Sequence, residues 1–194
     1  MANKREVEIK FRIGSIRSLG RRLKASGFRL LTRRTLETNT LYDFPGGILR
    51  RRGALLRLRK YGPLWTVTYK DKGKLGRHKS RREIETRLTD GAHLAAIFQA
   101  LGLGPCFSYE KFRTEWSDSS GHVVIDETPI GDFGEIEGQP RWIDAVAKRL
   151  GIGPDQYITA SYSELFQEWK QQTGSRATDM LFHAPARSRQ SGRR

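Results

Sequence analysis

Three charged residues stand at alternate positions of one short run near the amino terminus, Glu6-Val7-Glu8-Ile9-Lys10. A period of two is typical of a β-strand with one charged face and one apolar face. A single strand of this kind would turn its charged face to water. Because similar faces recur along the chain with acids and bases nearly balanced, we expect a polar interior that holds metal and a polyanion.

Composition limits the class of protein. The chain has 194 residues, which allows one domain with a core, or one domain with an appendage. It contains no apolar run of about 18 residues, and no hydrophobic segment follows the first charges, so we expect neither a membrane span nor a secretory signal. The single cysteine, Cys106, excludes an intramolecular disulfide and a multi-cysteine zinc site. These features indicate a soluble, cytoplasmic protein.

The net charge of +15 favours anionic partners such as nucleic acid, anionic membrane or phosphorylated small molecules. After Thr173 the composition changes to five arginines with few large apolar residues. We therefore divide the chain into a folded domain, 1–173, and a basic, disordered tail, 174–194. The tail would contact nucleic acid only nonspecifically.

Eight segments have β-strand character. They are residues 4–13, 28–43, 55–61, 64–70, 81–88, 109–116, 122–126 and 132–138. The pair Gly62-Pro63 predicts a tight turn between the third and fourth segments. Helices are predicted to begin after Ser15, Asp90 and Ser161 and at Pro140.

Charged residues share one face of these strands. The acidic ones are Glu6, Glu8, Glu83, Glu85, Asp126, Glu135 and Glu137, and the basic ones are Lys10, Arg57, Arg59, Lys70, Arg81, Lys111 and Arg113. One Glu-x-Glu run alone would most simply be a solvated face, but seven runs with the same pattern argue against that explanation. Burying these charges unpaired would cost several kcal/mol each, so a shared interior must be hydrated and completed by a ligand.

The residue types indicate the ligand. Carboxylates supply the hard oxygen atoms that Mg²⁺ or Mn²⁺ prefers. Arginine and lysine bind phosphate oxygens as forked and point-like partners. A divalent cation beside basic residues is typical of phosphoryl chemistry, in which positioning and charge stabilisation dominate.

The ordered motifs resemble a known family. They are Glu6-x-Glu8-x-Lys10, Leu41-Tyr42-Asp43, Leu56-Arg57-Leu58-Arg59, Thr68-Tyr69-Lys70, the strand with Arg81, Glu83 and Glu85, Lys111-Phe112-Arg113, Ile125-Asp126, Gly131-Asp132-Phe133-Gly134-Glu135-Ile136-Glu137 and Ser161-Tyr162. This series, from residue 4 to about 170, is similar to that of CYTH domains. That family includes class IV adenylate cyclases, thiamine triphosphatases and other triphosphate tunnel metalloenzymes.

The resemblance implies an α+β fold, a closed eight-stranded antiparallel β-barrel that is open as a tunnel, with flanking helices. It implies that the seven acids above include the ligands of Mg²⁺ or Mn²⁺ and that the seven basic residues form a triphosphate clamp. Lys10, Lys70 and Tyr42 are the implied catalytic residues, with Tyr42 and Lys70 as a base pair. Thr38 departs from the glutamine or arginine common in the family, which leaves the role of Asn39 open.

Three functions remain open at this stage. Hydrolysis of inorganic triphosphate, ATP or thiamine triphosphate is favoured, because water needs no further positioning, whereas cyclisation requires a fixed ribose. The second function is that of a class IV adenylate cyclase, which forms cyclic AMP from ATP. The third is a non-catalytic barrel that binds polyphosphate or RNA. A homodimer is compatible with each of them, and we expect no membrane partner.

Overall fold

The structure is a computed structural model of the chain, and it describes residues 4–74 and 76–182. Within these ranges the strands are β1 (Lys4–Arg12), β2 (Arg29–Asp43), β3 (Leu55–Tyr61), β4 (Leu64–Lys70), β5 (Lys79–Leu88), β6 (Gly104–Ser117), β7 (His122–Thr128) and β8 (Gly131–Glu137). The helices are α1 (Ile16–Ala25), α2 (Ile48–Arg51), α3 (Gly91–Ala100), α4 (Pro140–Arg149) and α5 (Tyr162–Thr173), with a short 3-10 helix at Pro154–Gln156.

The strands close into a barrel in the order β1-β5-β4-β3-β2-β6-β7-β8, and all neighbouring pairs are antiparallel. Closure pairs the first strand with the last and leaves no open sheet edge. The predicted fold class, an α+β protein with a closed eight-stranded antiparallel barrel and flanking helices, is confirmed. None of the described helices is long and apolar enough to cross a membrane.

Local sequence signals account for several elements. Tyr61 pairs directly with Leu64, so the β3–β4 turn has two residues, and Gly62 adopts φ of +56° there. A positive φ at the first turn position is readily accessible to glycine. At α5, the Ser161 hydroxyl accepts a hydrogen bond from the Glu164 amide, and the Glu164 carboxylate accepts one from the Ser161 amide. This reciprocal cap fixes where α5 begins.

Several strand boundaries differ from the prediction by one or two residues, and the start of β6 differs by more. Strand β6 begins at Gly104, five residues before the predicted start, and β5 begins at Lys79, two residues early. The short helix α2 was not predicted. It begins after Gly47, whose φ is +74°, and follows the break at Pro45-Gly46-Gly47.

The apolar faces of the strands point outward and are covered by helices. Ile9 and Ile136 are fully buried under α1 and α4, where Leu23, Val146 and Leu150 pack against them. Full burial of each such side chain contributes about 1.5–3 kcal/mol. The main apolar core therefore lies outside the barrel, which leaves the interior to polar groups.

Helix α5 packs against a second cluster of aromatic residues. Tyr162 lies 5.9 Å from Tyr109 and 5.8 Å from Phe133, measured between ring centroids, and Phe166 lies 5.5 Å from Phe107. Tyr109, Phe107 and Phe133 lie at alternate positions with the charged residues of β6 and β8, so they are on the same face of their strands. Helix α5 therefore covers inward-facing side chains of the barrel.

The described part of the predicted tail contacts the barrel. The Met180 amide donates to the Ser108 carbonyl at 3.0 Å, and the Glu110 amide donates to the Met180 carbonyl at 2.9 Å. Phe182 also contacts the Phe112 ring, with centroids 5.1 Å apart. The boundary at residue 173 stays a prediction, and the disorder predicted for 183–194 lies outside the described residues.

Replacing Gly134 by alanine should destabilise the barrel. A Cβ at this position would lie 2.1 Å from the ring of Phe11, its cross-strand partner on β1. Overpacking of a core costs roughly 1–3 kcal/mol, and we expect a loss of that size in the free energy of unfolding in urea. Gly14→Ala is the control, because a Cβ there meets no atom within 4 Å. Equal stability of the two variants would contradict this packing argument.

Candidate active site

A cavity of about 720 Å³ lies inside the barrel and is lined by charged side chains from β1, β3, β4, β5, β6 and β8. All seven predicted clamp residues line it: Lys10, Arg57, Arg59, Lys70, Arg81, Lys111 and Arg113. Six of the seven predicted acids also line it: Glu6, Glu8, Glu83, Glu85, Glu135 and Glu137. The seventh, Asp126, is fully buried and contacts the clamp through Lys111 and Arg113.

On the β1–β5–β4 side, Lys70 joins two carboxylates. Its Nζ lies 2.7 Å from Glu6 Oε1 and 3.1 Å from Glu83 Oε2, and Arg81 Nε lies 3.1 Å from Glu6 Oε2. Burial raises the pKa of Glu6, but Lys70 and Arg81 overcome this effect and lower it overall. Burial, together with the nearby charge of Glu6, raises the pKa of Glu83. Lys70 is thus shared by the two acids, while Arg81 also pairs with Glu6.

Lys10 of β1 and Arg113 of β6 meet on Glu135 of β8. Lys10 Nζ lies 2.8 Å from Glu135 Oε1, and Arg113 donates to Glu135 Oε2. Arg113 also donates two hydrogen bonds of 2.7 Å to Asp126, and Lys111 donates one of 2.9 Å. Burial lowers the pKa of Lys10, but Glu135 and neighbouring acids raise it overall, so this ammonium stays charged. These contacts fix the clamp cations in place.

The arginines of β3 share a third acid. Arg59 Nη2 lies 3.2 Å from both oxygens of Glu85, and Arg57 Nη2 lies 3.5 Å from Glu85 Oε2. Thr66 and Thr68 on β4 accept hydrogen bonds from Arg59 and Arg57 respectively. The Leu-Arg-Leu-Arg alternation therefore places both guanidinium groups inside the barrel.

Glu8 and Glu137 face each other directly across the β1–β8 pair. Like charges at such positions are destabilising, since their Cβ atoms lie only about 5 Å apart. Lys79, also directly opposite Glu8 on β5, is a nearby cation. This juxtaposition of two carboxylates indicates a position at which a divalent cation fits.

The oxygen donor set suits Mg²⁺ or Mn²⁺. In residues 4–74 and 76–182, no three or more His, Cys, Asp or Glu side chains converge into a ready-made metal site. Mg²⁺ usually binds through one or two carboxylates together with substrate phosphates and water, rather than in an all-protein cage. Glu8 and Glu137 therefore fit a metal that is completed by substrate.

Tyr42 is the one predicted site residue that the structure places elsewhere. Leu41 lines the cavity, so the next side chain on β2 points outward, and Tyr42 packs on Phe98 of α3 with ring centroids 5.0 Å apart. Burial raises the pKa of its hydroxyl group. The interpretation of Tyr42 and Lys70 as a base pair is wrong, because the two side chains lie on opposite sides of the barrel wall.

Several cavity residues were missed. They are Lys79, Tyr109, Glu115, His122, Ser161, Tyr162 and Ser163 along the lining, and Glu37 with Asn39 behind it. The strand residues among them lie an even number of positions from inward-facing residues of the same strand. Extending the alternation along each strand would therefore have identified them. Asn39, whose role was open, donates from Nδ2 to Glu37 Oε1 at 3.0 Å.

Tyr162 links α5 to the clamp. Its hydroxyl donates to Asp126 Oδ2 at 2.7 Å, and its ring lies 4.9 Å from Lys10 Nζ and 4.8 Å from Lys111 Nζ. Burial and the charge of Asp126 raise the pKa of this hydroxyl well above its ordinary value. It is therefore a hydrogen-bond donor at neutral pH and not a base.

The CYTH domain model matches residues 4–157, and the chain belongs to the CYTH family. Enzymes of this family act on triphosphates and generally depend on a divalent metal. The cavity described above lies within the matched region, apart from the contribution of α5.

Individual relatives extend the comparison. The chain is 27% identical over 171 residues to "Putative adenylate cyclase MJ0240" of Methanocaldococcus jannaschii, covering 82% of this chain and 97% of that protein. A solved structure from Vibrio parahaemolyticus, described as "a putative adenylate cyclase", has a TM-score of 0.75 at 18% identity, covering 86% and 99%. A Hippeastrum structure, described as "Putative adenylyl cyclase HpAC1", has a TM-score of 0.63 at 20% identity, covering 84% and 95%. These two structures share the fold.

Stability should fall in acid because of the buried carboxylates. Burial raises the pKa of Glu37, but Lys111, Arg113 and Arg59 lower it overall, below its ordinary value of 4.5. A depressed pKa contributes stability that is complete above the unfolded-state pKa and is lost as pH falls below it. In urea unfolding, the stability difference between the wild type and Glu37→Gln should therefore narrow between about pH 5 and pH 3. A constant difference would contradict the assignment.

Proposed function

We propose that the chain is a metal-dependent triphosphatase that hydrolyses inorganic or organic triphosphate inside the barrel. The observation that carries the proposal is the joining of a cationic clamp and a facing pair of carboxylates in one cavity. The family supports a triphosphate as the substrate class. The Hippeastrum protein is described as having "a dominant triphophatase activity", which supports hydrolysis as the reaction.

The clamp residues have separate tasks in this proposal. Arg57, Arg59, Lys111 and Arg113 bind phosphate oxygens from one side of the cavity, and Lys10 contributes a charge that stays in place at neutral pH. Fixed cations aimed at the phosphates neutralise the charge that develops on the leaving group without reorganising.

Glu8 and Glu137 would hold the metal, and the resident acids of the other clusters would orient the clamp. Mg²⁺ or Mn²⁺ held there would supply positive charge that stabilises the negative charge of the phosphates. Glu6, Glu135, Asp126 and Glu85 are engaged with cations of the protein, which favours an orienting role for them.

The lining favours water over a ribose hydroxyl as the nucleophile. Tyr109 and Tyr162 line the cavity, and the ring of each already packs in the aromatic cluster at α5. Neither is thus free to sandwich an adenine. With both tyrosine rings engaged in this way, the adenine of ATP has less aromatic surface to stack on, whereas attack by water requires no such support.

Cyclisation of ATP is the second candidate function. The names of the Methanocaldococcus and Vibrio proteins favour it. Incubating the protein with inorganic triphosphate or ATP, with Mg²⁺ or Mn²⁺, separates the two reactions by their products. A triphosphatase releases orthophosphate and pyrophosphate from inorganic triphosphate, or orthophosphate and ADP from ATP. A cyclase leaves inorganic triphosphate intact and releases cyclic AMP and pyrophosphate from ATP. Binding without turnover, with a steep salt dependence, would instead favour the non-catalytic barrel.

Glu8→Gln should lower turnover of triphosphate by about a hundredfold or more, because it removes a charged oxygen ligand from the proposed metal position. Rates should be measured over a titration of Mg²⁺ or Mn²⁺, so that weaker metal binding is seen directly. The matched control is Glu127→Gln, which alters a glutamate paired with Arg34 on the outer surface. Unchanged turnover in Glu8→Gln would remove this residue from the metal position.

Tyr42→Phe should leave turnover within about twofold of the wild type. The ring that packs on Phe98 is retained, and the lost hydroxyl lies outside the cavity. Steady-state rates at several pH values provide the measurement. A loss of turnover comparable to that of a clamp variant would restore Tyr42 as a catalytic residue.

A further inference from the structure

Glu37 is a buried carboxylate behind the clamp that the reaction outlined above does not use. It lies on β2, directly opposite Tyr61 of β3 and Lys111 of β6, and its side chain is fully buried. It does not belong to the cavity lining, so a bound substrate would be separated from it by the clamp.

Glu37 lies near three clamp cations without a close hydrogen bond to any of them. Lys111 Nζ is 3.4 Å from Oε1, and Arg113 Nε and Arg59 Nη1 are 3.8 and 3.9 Å from Oε2. Its one close donor is the Asn39 amide, at Oε1. Oε2 is buried and receives no hydrogen bond from the described residues. The interaction with the clamp is therefore mainly electrostatic.

Other acids hold these cations in position. Lys111 and Arg113 are hydrogen-bonded to Asp126, and Arg59 is hydrogen-bonded to Glu85. Removing the charge of Glu37 would therefore leave the geometry of the clamp largely in place. What changes is the positive potential that the clamp presents to the cavity.

We propose that Glu37 is a positioning residue that acts through Arg59, Lys111 and Arg113 and weakens the affinity of the clamp for phosphate. The inference rests on the proposed function and names a determinant of substrate and product affinity within the same site. A buried negative charge behind the clamp repels each phosphate group that binds in front of it, and low-dielectric surroundings screen this repulsion poorly.

Weakened affinity has a use in turnover. Triphosphate and its product pyrophosphate present similar oxygens to the same cations, so a clamp with no opposing charge would hold the product strongly. Release of product limits the rate of many enzymes. The charge of Glu37 would thus lower the affinity for both anions and speed the exchange of one for the other.

The test measures binding of inorganic triphosphate and pyrophosphate by calorimetry in the absence of divalent metal, so that no turnover occurs. Glu37→Gln should bind both anions about tenfold more tightly than the wild type, since an opposing charge has been removed. Glu37→Asp keeps the charge and should remain within about threefold of the wild type. The surface variant Glu127→Gln is the matched control and should be unchanged.

Kinetics supply a readout that a purely structural role would not give. Glu37→Gln should show a lower KM and stronger inhibition by pyrophosphate, with kcat unchanged or reduced. Circular dichroism and thermal unfolding identify any variant that fails to fold. If Glu37→Gln does not fold, the affinities of Glu37→Asp, which keeps the charge, and of Glu127→Gln are compared instead. An affinity of Glu37→Asp that departs tenfold from the wild type would overturn the charge argument.

Two failures are distinguishable. If the wild type binds neither triphosphate nor pyrophosphate, the proposed function fails with its substrate class. If the wild type binds and folded Glu37→Gln binds with equal or weaker affinity, the proposed function stands and the role of Glu37 is overturned.

Discussion

Charge balance inside a closed sheet is the constraint on which this molecule depends. Closure gives every strand an inner face, and the alternation of side chains sends the ionic residues there and the apolar ones outward. Ion pairs such as Lys70 with Glu6 and Lys10 with Glu135 offset the cost of removing these charges from water. The same pairs leave an array of fixed charges around an open cavity, so the interactions that permit folding also prepare the site.

Sequence alternation predicted most of this arrangement, because period two fixes the face of a side chain once one neighbour is placed. It placed the seven basic residues and the acids on one face of their strands, and the family resemblance implied the closed eight-stranded barrel in which those faces meet. It could not rank those acids, since partners such as Lys70 or Arg113 come from strands distant in sequence. The pairing register decides that Glu8 meets Glu137 and that Glu6 meets Arg81.

The errors have physical causes. Tyr42 was assigned from a motif, yet it follows the inward-facing Leu41 and must face outward. Glu37 was missed because its neighbours on the same face of β2, Thr35 and Asn39, carry no charge, so the sequence shows no row of charges there. Tyr162 belongs to a helix, where strand parity gives no information about what a side chain reaches.

The hydroxyl of Tyr162 connects α5 to the clamp, because it donates to Asp126. The aspartate that orients Lys111 and Arg113 also anchors the first turn of the carboxyl-terminal helix. Detachment of α5 would leave Asp126 with one donor fewer and would remove the Tyr162 ring from the ammonium groups of Lys10 and Lys111. Helix α5 and the charged cavity therefore belong to one cooperative unit, in which local opening of either weakens the other.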